Sequence, residues 1–417
     1  MKVSLAWLRL GSLAAAFIGA AACTENLGGD GACPILCPTQ GGDIQNVTLD
    51  AIVFDTTVLT LSGLGTEPGL LLASRGDTLD TRVVIRFDSL PTKFNASVDT
   101  GRTILSVDSA HLRLRLDTLS LKVSGPLTIE AFDVDTVAND TSTAAIAALF
   151  RPDRFISSQS FARADLRDSI RYNISNEVVL AKIRAGARLR IGLRAVGSAQ
   201  VRILAVESGA GPQLSFRPTR DTTFRPLIVT PLSKTPVGES LVAMNLSDYT
   251  VLLRSPSTAA TNTLNIGGLP ARRTYIRFNI PSSIIDSSTV VRATLLLNQI
   301  ANTSLDPGDT IFLVPQIVVA GAVVTDPARA SQVISDGALD TLKVRAGDSG
   351  EKQIELVRAI PFWRSQRPEV TPRAIVIRTL AEGNSPLEAR FSPLEAQAGL
   401  RPRLRISFTP RAPLGLP

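Results

Sequence analysis

Apolar and polar residues alternate with a period of two along most of this chain. In "DSAHLRLRLDT", Ala110, Leu112, Leu114 and Leu116 point one way, and His111, Arg113, Arg115 and Asp117 point the other. Successive side chains of a strand face opposite sides, so the pattern predicts an antiparallel strand with one dry and one wet face. It recurs at "TRVVIRFDSL", "PLTIEAFDVD", "RLRIGLRAV", "QVRILAVES" and "QLSFRPT". It returns at "TYIRFNIP", "VVRATLLLNQ", "TIFLVPQIVV", "RAIVIRTLA", "LEARFSP" and "RLRISFTP". The breakers "SGLGTEPG", "NIGGLPA" and "RAGDSGE" lie between these runs. Many short strands with turn signals between them predict an all-β sandwich or barrel. Helical periodicity is brief: a turn or two in "SFARADLRDS", and rather more in "EKQIELVRAIPFWRSQ".

The order of strands is written twice. "RVVIRFDSLP" is followed by "VDSAHLRLRLD" in the first half, and "RTYIRFNIPS" by "STVVRATLLLN" in the second. Each half passes through a variable middle. The first closes on "RLRIGLRAVGSAQVRILAVESGAGPQLSFRPT" and the second on "RAIVIRTLAEGNSPLEARFSPLEAQAGLRPRLRISFTP". Repetition at this scale predicts two tandem copies of one β-sandwich. They would span 46–218 and 241–410, joined by Thr219–Ser240 and followed by a tail at 411–417.

The N-terminus has another logic. Lys2 and Arg9 flank a basic start, and Leu10–Ala22 is almost wholly apolar or small. That run is short for a bilayer span, which takes ~20 apolar residues. It suits the central region of a secretory signal, 1–22. Ala20, Ala21 and Ala22 then lead to Cys23. The segment resembles a bacterial lipoprotein signal, which implies a lipidated Cys23 as the first mature residue. Ala20 stands where such signals most often carry Leu. The absence of Asp after Cys23 resembles the class sorted to the outer membrane. Two or more acyl chains would hold the protein stably on a membrane. Residues 23–45 are rich in Gly and Pro and read as a flexible tether.

Cys33 and Cys37 follow closely in "ACPILCP". Outside the cytoplasm they would close a small local disulfide ring. A zinc site needs about four Cys or His ligands, and the only histidine is His111. No metal and no cofactor is therefore expected. The formal charge is +7, and losing Lys2 and Arg9 with the signal leaves 7 − 2 = +5. The arginines are spread along strands rather than clustered, so no nucleic-acid arm is expected. Aromatics are 5% of the chain, and Trp363 is the one Trp outside the signal. Few stacking platforms for sugars or bases are on offer.

The second repeat resembles the DNRLRE domain, a jelly-roll β-sandwich related to carbohydrate-binding modules. The resemblance rests on "SDYTVLL", "NTLNIGG", "RRTYIRFNIP" and "VVRATLLLN", with "IELVRAIPFWRSQRP" before "RAIVIRT". Asp248, Tyr249, Asn265 and Gly267 stand at the family's opening positions. The first repeat follows the pattern more loosely and lacks the Trp. The resemblance implies two tandem jelly-roll-like antiparallel β-sandwiches with short helical turns. It also implies a surface or secreted protein, with polysaccharide as one possible ligand class.

Three residues stand out as candidates for ligand binding. Val83, Ile85 and Phe87 alternate inward, as do Thr274, Ile276 and Phe278, leaving Arg86 and Arg277 at one equivalent position on the opposite face. An exposed Arg offers a planar fork for a carboxylate or acidic sugar; the competing role is an ion pair with a nearby acid. Trp363 could stack on a sugar ring, or cap the core beside Phe362. His111 falls on a wet face among arginines and is no catalyst. No Gly-x-Ser-x-Gly, Walker or His-Glu-x-x-His run occurs. "DVDTVANDTS", Asp133–Ser142, has oxygens for calcium but not the spacing of a helix-loop-helix site. The expectation is a non-catalytic, envelope-anchored lipoprotein with a structural or adhesive role at the cell surface, partnered by the membrane through its lipid anchor and by polysaccharide or an envelope protein. The alternative is a carbohydrate-binding protein that captures polysaccharide at the outer membrane.

Overall fold

The computed structural model describes residues 44–60, 65–95, 100–136, 142–220, 224–234, 246–256 and 260–410. The signal segment, Cys23, Cys33, Cys37 and most of the tether lie outside them. The described chain is mainly antiparallel β-structure in two curled sheets, each folded over a core of its own. Val83, Ile85, Phe87, Leu112 and Leu114 are buried together in the first core. Ile276, Phe278, Leu295, Leu297 and Trp363 are buried in the second. Burying each such side chain contributes ~1.5–3 kcal/mol, and this burial is what fixes which face of each strand turns inward.

The main paths of the two sheets match strand for strand. The first runs Leu227–Val229, Gln213–Arg217, Ser109–Val123, Ala199–Leu204, Gly69–Arg75, Leu79–Phe87, Leu189–Val196, Leu127–Asp133 and Phe155–Phe161. The second runs Gln45–Leu49, Arg403–Pro410, Ser288–Ile300, Glu388–Phe391, Leu264–Gly267, Arg272–Phe278, Ala374–Thr379, Thr310–Val318 and Ile334–Ala338. Branch strands correspond too. Ser169–Asn173 and Gly350–Glu355 add to the long Leu-rich strands Ser109–Val123 and Ser288–Ile300, respectively. The expected repeat order is thus the order of the strands.

The sheets do not divide where the repeats divide. Gln45–Leu49 and Ile52–Leu59 open the first repeat, yet they pair with Arg403–Pro410 and Arg272–Phe278 of the second sheet. Leu227–Val229 and Asp248–Arg254 open the second repeat, yet they pair with Gln213–Arg217 and Leu79–Phe87 of the first sheet. The tandem copies exchange their opening strands reciprocally. The connection expected at 219–240 therefore contains a strand of the first sheet, and the sandwich expected from residue 46 begins with strands of the other one. The physical reason is that both sheets offer an equivalent partner: Ile52–Leu59 and Asp248–Arg254 each lie antiparallel to an Ile-Arg-Phe strand, and that strand exists twice.

A joint between the bodies accompanies the exchange. Leu71, Ala73 and Leu79 of the first body form an apolar cluster with Leu269 and Leu305 of the second. Arg75 donates to Asp306 (Nη2 to Oδ1, 3.1 Å), Lys122 pairs with Asp309 at 2.7 Å, and Arg202 donates to Asn384 at 3.1 Å.

Two local expectations change. "EKQIELVRAIPFWRSQ" begins as the strand Gly350–Glu355, and only Ile360–Ser365 is α-helical, after one 3-10 turn. "SFARADLRDS" likewise ends one strand and makes a single 3-10 turn, Arg163–Asp165. The nine-residue helix Asn176–Arg184 was not expected; it buries only Val179 and Ile183, too narrow a stripe to register as a period. The breaker "NIGGLPA" is a turn between Leu264–Gly267 and Arg272–Phe278. Gly267 has φ +92°, and a Cβ there would lie 2.6 Å from the Leu387 carbonyl oxygen, so no other residue fits without a shift.

Candidate functional site: the arginine cleft of the second sandwich

Arg86 and Arg277 occupy one register position. Arg86 lies opposite Arg190 in the first sheet, and Arg277 lies opposite Ala374 in the second. Two residues further along their strands stand Asp88 and Asn279. These substitutions give the two arginines different surroundings.

Arg86 is closed in. Its side chain is 4% exposed, and its Nη2 donates to Asp88 Oδ2 at 3.1 Å. Arg190 grips the same carboxylate with Nε at 3.0 Å and Nη2 at 3.1 Å, and the Lys234 backbone N–H donates to it as well. Burial alone would push the Asp88 carboxyl up. The Arg190 hydrogen bond and the charges of Arg86 and Arg190 outweigh it and hold the group below the usual carboxylate range. A bound ligand has no access to this cluster.

Arg277 is exposed. No carboxylate among the described residues lies within ion-pairing distance of it. Its guanidinium sits 5.5 Å from the centroid of Phe54, and Phe54 meets Tyr275 edge-on at 6.1 Å. Phe54 belongs to the exchanged strand Ile52–Leu59 and stands directly opposite Arg277 in register. The corresponding place beside Arg86 is held by Ser247, whose carbonyl accepts the Arg86 N–H. Around Arg277 opens a cleft of about 280 Å³, walled by Phe54, Tyr275, Val324, Pro327 and Pro372. The Tyr275 phenol is pushed up by burial and pulled back by the charge of Arg277. On the first sandwich the matching outer face is filled instead. There Val84 packs under Phe132, Val134, Ile146 and Phe150, with Arg82 lying 4.5 Å over Phe150.

A second equivalent pair sits on the exchanged strands. Asp248 lies opposite Ile85, and Asp55 opposite Ile276. Asp248 Oδ2 accepts the Val206 N–H at 3.0 Å, and Asp55 Oδ2 accepts the Leu394 N–H at 2.8 Å. Asp248 is fully buried, and its Oδ1 has no hydrogen-bond partner among the described residues. Burial, with the charges of Glu207 and Glu67 adding, pushes its carboxyl up to about 7 against the opposing Val206 N–H. Burial pushes Asp55 up to about 6, with the Leu394 N–H opposing and Glu395 adding. Glu207 follows Val206 as Glu395 follows Leu394. Sequence reasoning placed Asp248 as an opening residue and missed Asp55 altogether. The signal lay in aligning "IVFDTTV" with "NLSDYTV" across the two copies.

Other candidates take structural places. Trp363 is 1% exposed and packs on Phe278 with ring centroids 5.2 Å apart, so it presents no platform to a sugar. Its place follows from the short helix Ile360–Ser365, which turns Ile360 and Trp363 into the core. His111 is half-buried on its strand opposite Ser215 and Asn173, and burial and the nearby Arg171 push its imidazole down. In the possible calcium loop, Asp133 pairs with Lys182 at 2.8 Å and Asp135 with Arg188 at 2.6 Å; residues 137–141 lie outside the described set. Among the described residues no three His, Cys, Asp or Glu side chains gather as a metal site.

No family model matches the chain, and no curated protein matches it. The likeness to DNRLRE sandwiches therefore rests on the quoted motifs alone. Among solved structures, a candidate secreted protein from Parabacteroides distasonis aligns over 88% of this chain and 100% of its own, at 10% identity and TM-score 0.23. Allantoicase aligns over 85% and 93%, at 10% identity and TM-score 0.16. The T13 IBDV viral particle aligns over 89% and 74%, at 11% identity and TM-score 0.16. Values this low carry no argument, and the fold stands on its own sheet topology.

Proposed function

We propose that this chain is a non-catalytic, envelope-anchored lipoprotein whose two sandwiches act as one structural or adhesive body, held to the outer membrane through Cys23. The reciprocal exchange of opening strands supports this reading most. Neither sandwich is complete without strands from the other repeat, and the strand that the tether enters, Gln45–Leu49, pairs with the C-terminal strand Arg403–Pro410. A load arriving through the tether is shared by both bodies rather than taken by a hinge between them. The apolar joint at Leu71, Leu79, Leu269 and Leu305 adds to that continuity. Polysaccharide capture has less support, because the one Trp beyond the signal is buried.

The body and its anchor are tested separately. A protease site placed within 235–245 should cut the chain into two fragments that stay together through gel filtration and part only in denaturant. Fragments that separate freely in buffer would sink the single-body reading. For the anchor, radiolabelled palmitate should enter the full chain and not the Cys23→Ala variant, and the label should travel with the outer-membrane fraction.

A further inference from the structure

We propose that the cleft around Arg277 binds a small organic carboxylate with an apolar body, its carboxylate on the Arg277 guanidinium and its apolar part against Phe54, Val324, Pro327 and Pro372. This goes beyond the anchoring and structural reading, which would stand without any ligand.

Divergence between the repeats carries the argument. At one register position the first copy keeps an acid and a second arginine, Asp88 and Arg190, and both are buried with Arg86. The second copy has Asn279 and Ala374 at those places. Those two differences remove the internal anion and leave room beside the cation. A third, Phe54 in place of Ser247, puts an aromatic ring against the guanidinium. A cation resting on a ring face keeps its planar edge free to make paired hydrogen bonds to a carboxylate. Of these changes, Phe54 also walls the cleft that Arg277 lines.

The walls choose among carboxylates. Apart from Arg277, two polar side chains line the cleft, Tyr275 and Thr325. A polyhydroxylated sugar acid would leave most of its hydroxyls without partners there, and unpartnered polar groups at a binding site weaken binding. A phenyl or branched alkyl body meets proline, valine and phenylalanine instead. At about 280 Å³ the cleft falls just below the ~300–1,000 Å³ of sites for drug-sized ligands, so the ligand is small.

Isothermal titration of the purified full chain with 4-phenylbutyrate, 4-phenylbutanol and polygalacturonate tests this. The butyrate should bind, and the alcohol should bind at least tenfold more weakly. Arg277→Gln should lose at least tenfold in affinity for the butyrate. Asn279→Asp, which restores the acid that stands beside Arg86, should lose a similar factor by supplying an internal anion. Both positions are exposed, so unchanged thermal unfolding of each variant would show an intact fold. Absence of butyrate binding, equal binding of acid and alcohol, full affinity in Arg277→Gln, or Arg277-dependent binding of polygalacturonate in preference to the butyrate would each overturn the proposal.

Discussion

The first sandwich buries its arginine at the shared register position, and the second displays it. Arg86 lies in a buried ionic cluster with Asp88 and Arg190, while Arg277 rests on Phe54 at the mouth of a cleft. The strands that carry them are alike, and so are the cores beneath. The repeat thus separates two jobs that a single copy confounds. Ile85, Phe87, Ile276 and Phe278 build the fold, and the outward residue is at liberty to differ. Where it is buried it needs a counter-charge; where it is exposed it does not.

The largest expected effect tests that contrast directly. Asp88→Ala would remove the carboxylate that Arg86 and Arg190 share, leaving Arg190 the more distant Asp135 at 3.8 Å, and breaking a buried ionic cluster in this way costs ~3–5 kcal/mol. Urea unfolding should show a loss of that size. Removing the exposed Arg277 should shift the same transition by no more than about 0.5 kcal/mol. Equal losses at the two sites would erase the distinction drawn between them.

The exchanged strands give a second contrast, between Asp248 and Asp55. Both carboxyls titrate higher in the fold than in the unfolded chain, where an aspartate sits near 3.8. Each therefore adds stability at low pH that disappears as pH rises through its folded value, about 7 for Asp248 and about 6 for Asp55. At pH 5 a folded Asp248 is largely protonated while its unfolded form is ionised; at pH 8 both are ionised. Unfolding free energy should then fall by ~3 kcal/mol between pH 5 and pH 8 on account of Asp248. Asp55 should add a smaller fall, because it is only half-buried and water screens it. In Asp248→Asn the amide oxygen can still accept the Val206 N–H, so the variant should gain stability at pH 8 and lose most of the pH slope. A slope unchanged in that variant would place the titration elsewhere.

Much of this architecture was readable from residues. Period-two runs located most strands, and the doubled Ile-Arg-Phe pattern gave their order. The exchange was not readable, for a definite reason. The strand Asp248–Arg254 meets the same local pattern whether it pairs with Leu79–Phe87 or Arg272–Phe278, so alternation cannot choose between them. What accompanies the choice is long-range: the Leu71–Leu269 cluster and the Arg75–Asp306 pair join residues far apart in sequence. The site was half-readable. Arg277 could be singled out as Arg86's counterpart, and "RFD" against "RFN" already showed the missing acid. That Ala374 replaces Arg190 needed the register, and that Phe54 reaches Arg277 needed the exchange.

A smaller effect than those at Asp88 and Asp248 is expected at Phe54, where the exchange and the cleft meet. Phe54→Ser would give the second sandwich the residue that the first carries at Ser247. The ring is only partly buried, so the loss should fall well short of the ~3–5 kcal/mol typical of a fully buried Phe; about 1 kcal/mol is expected in urea unfolding, including the exposed cation–π contact with Arg277. The position of Arg277 should respond more than stability does. Without a ring beneath it the guanidinium has no fixed support in the cleft, and its side-chain NMR signals should lose their dispersion. If those signals are unchanged, Arg277 is held by the strand itself, and the difference between the sandwiches reduces to the loss of Asp88 and Arg190 alone.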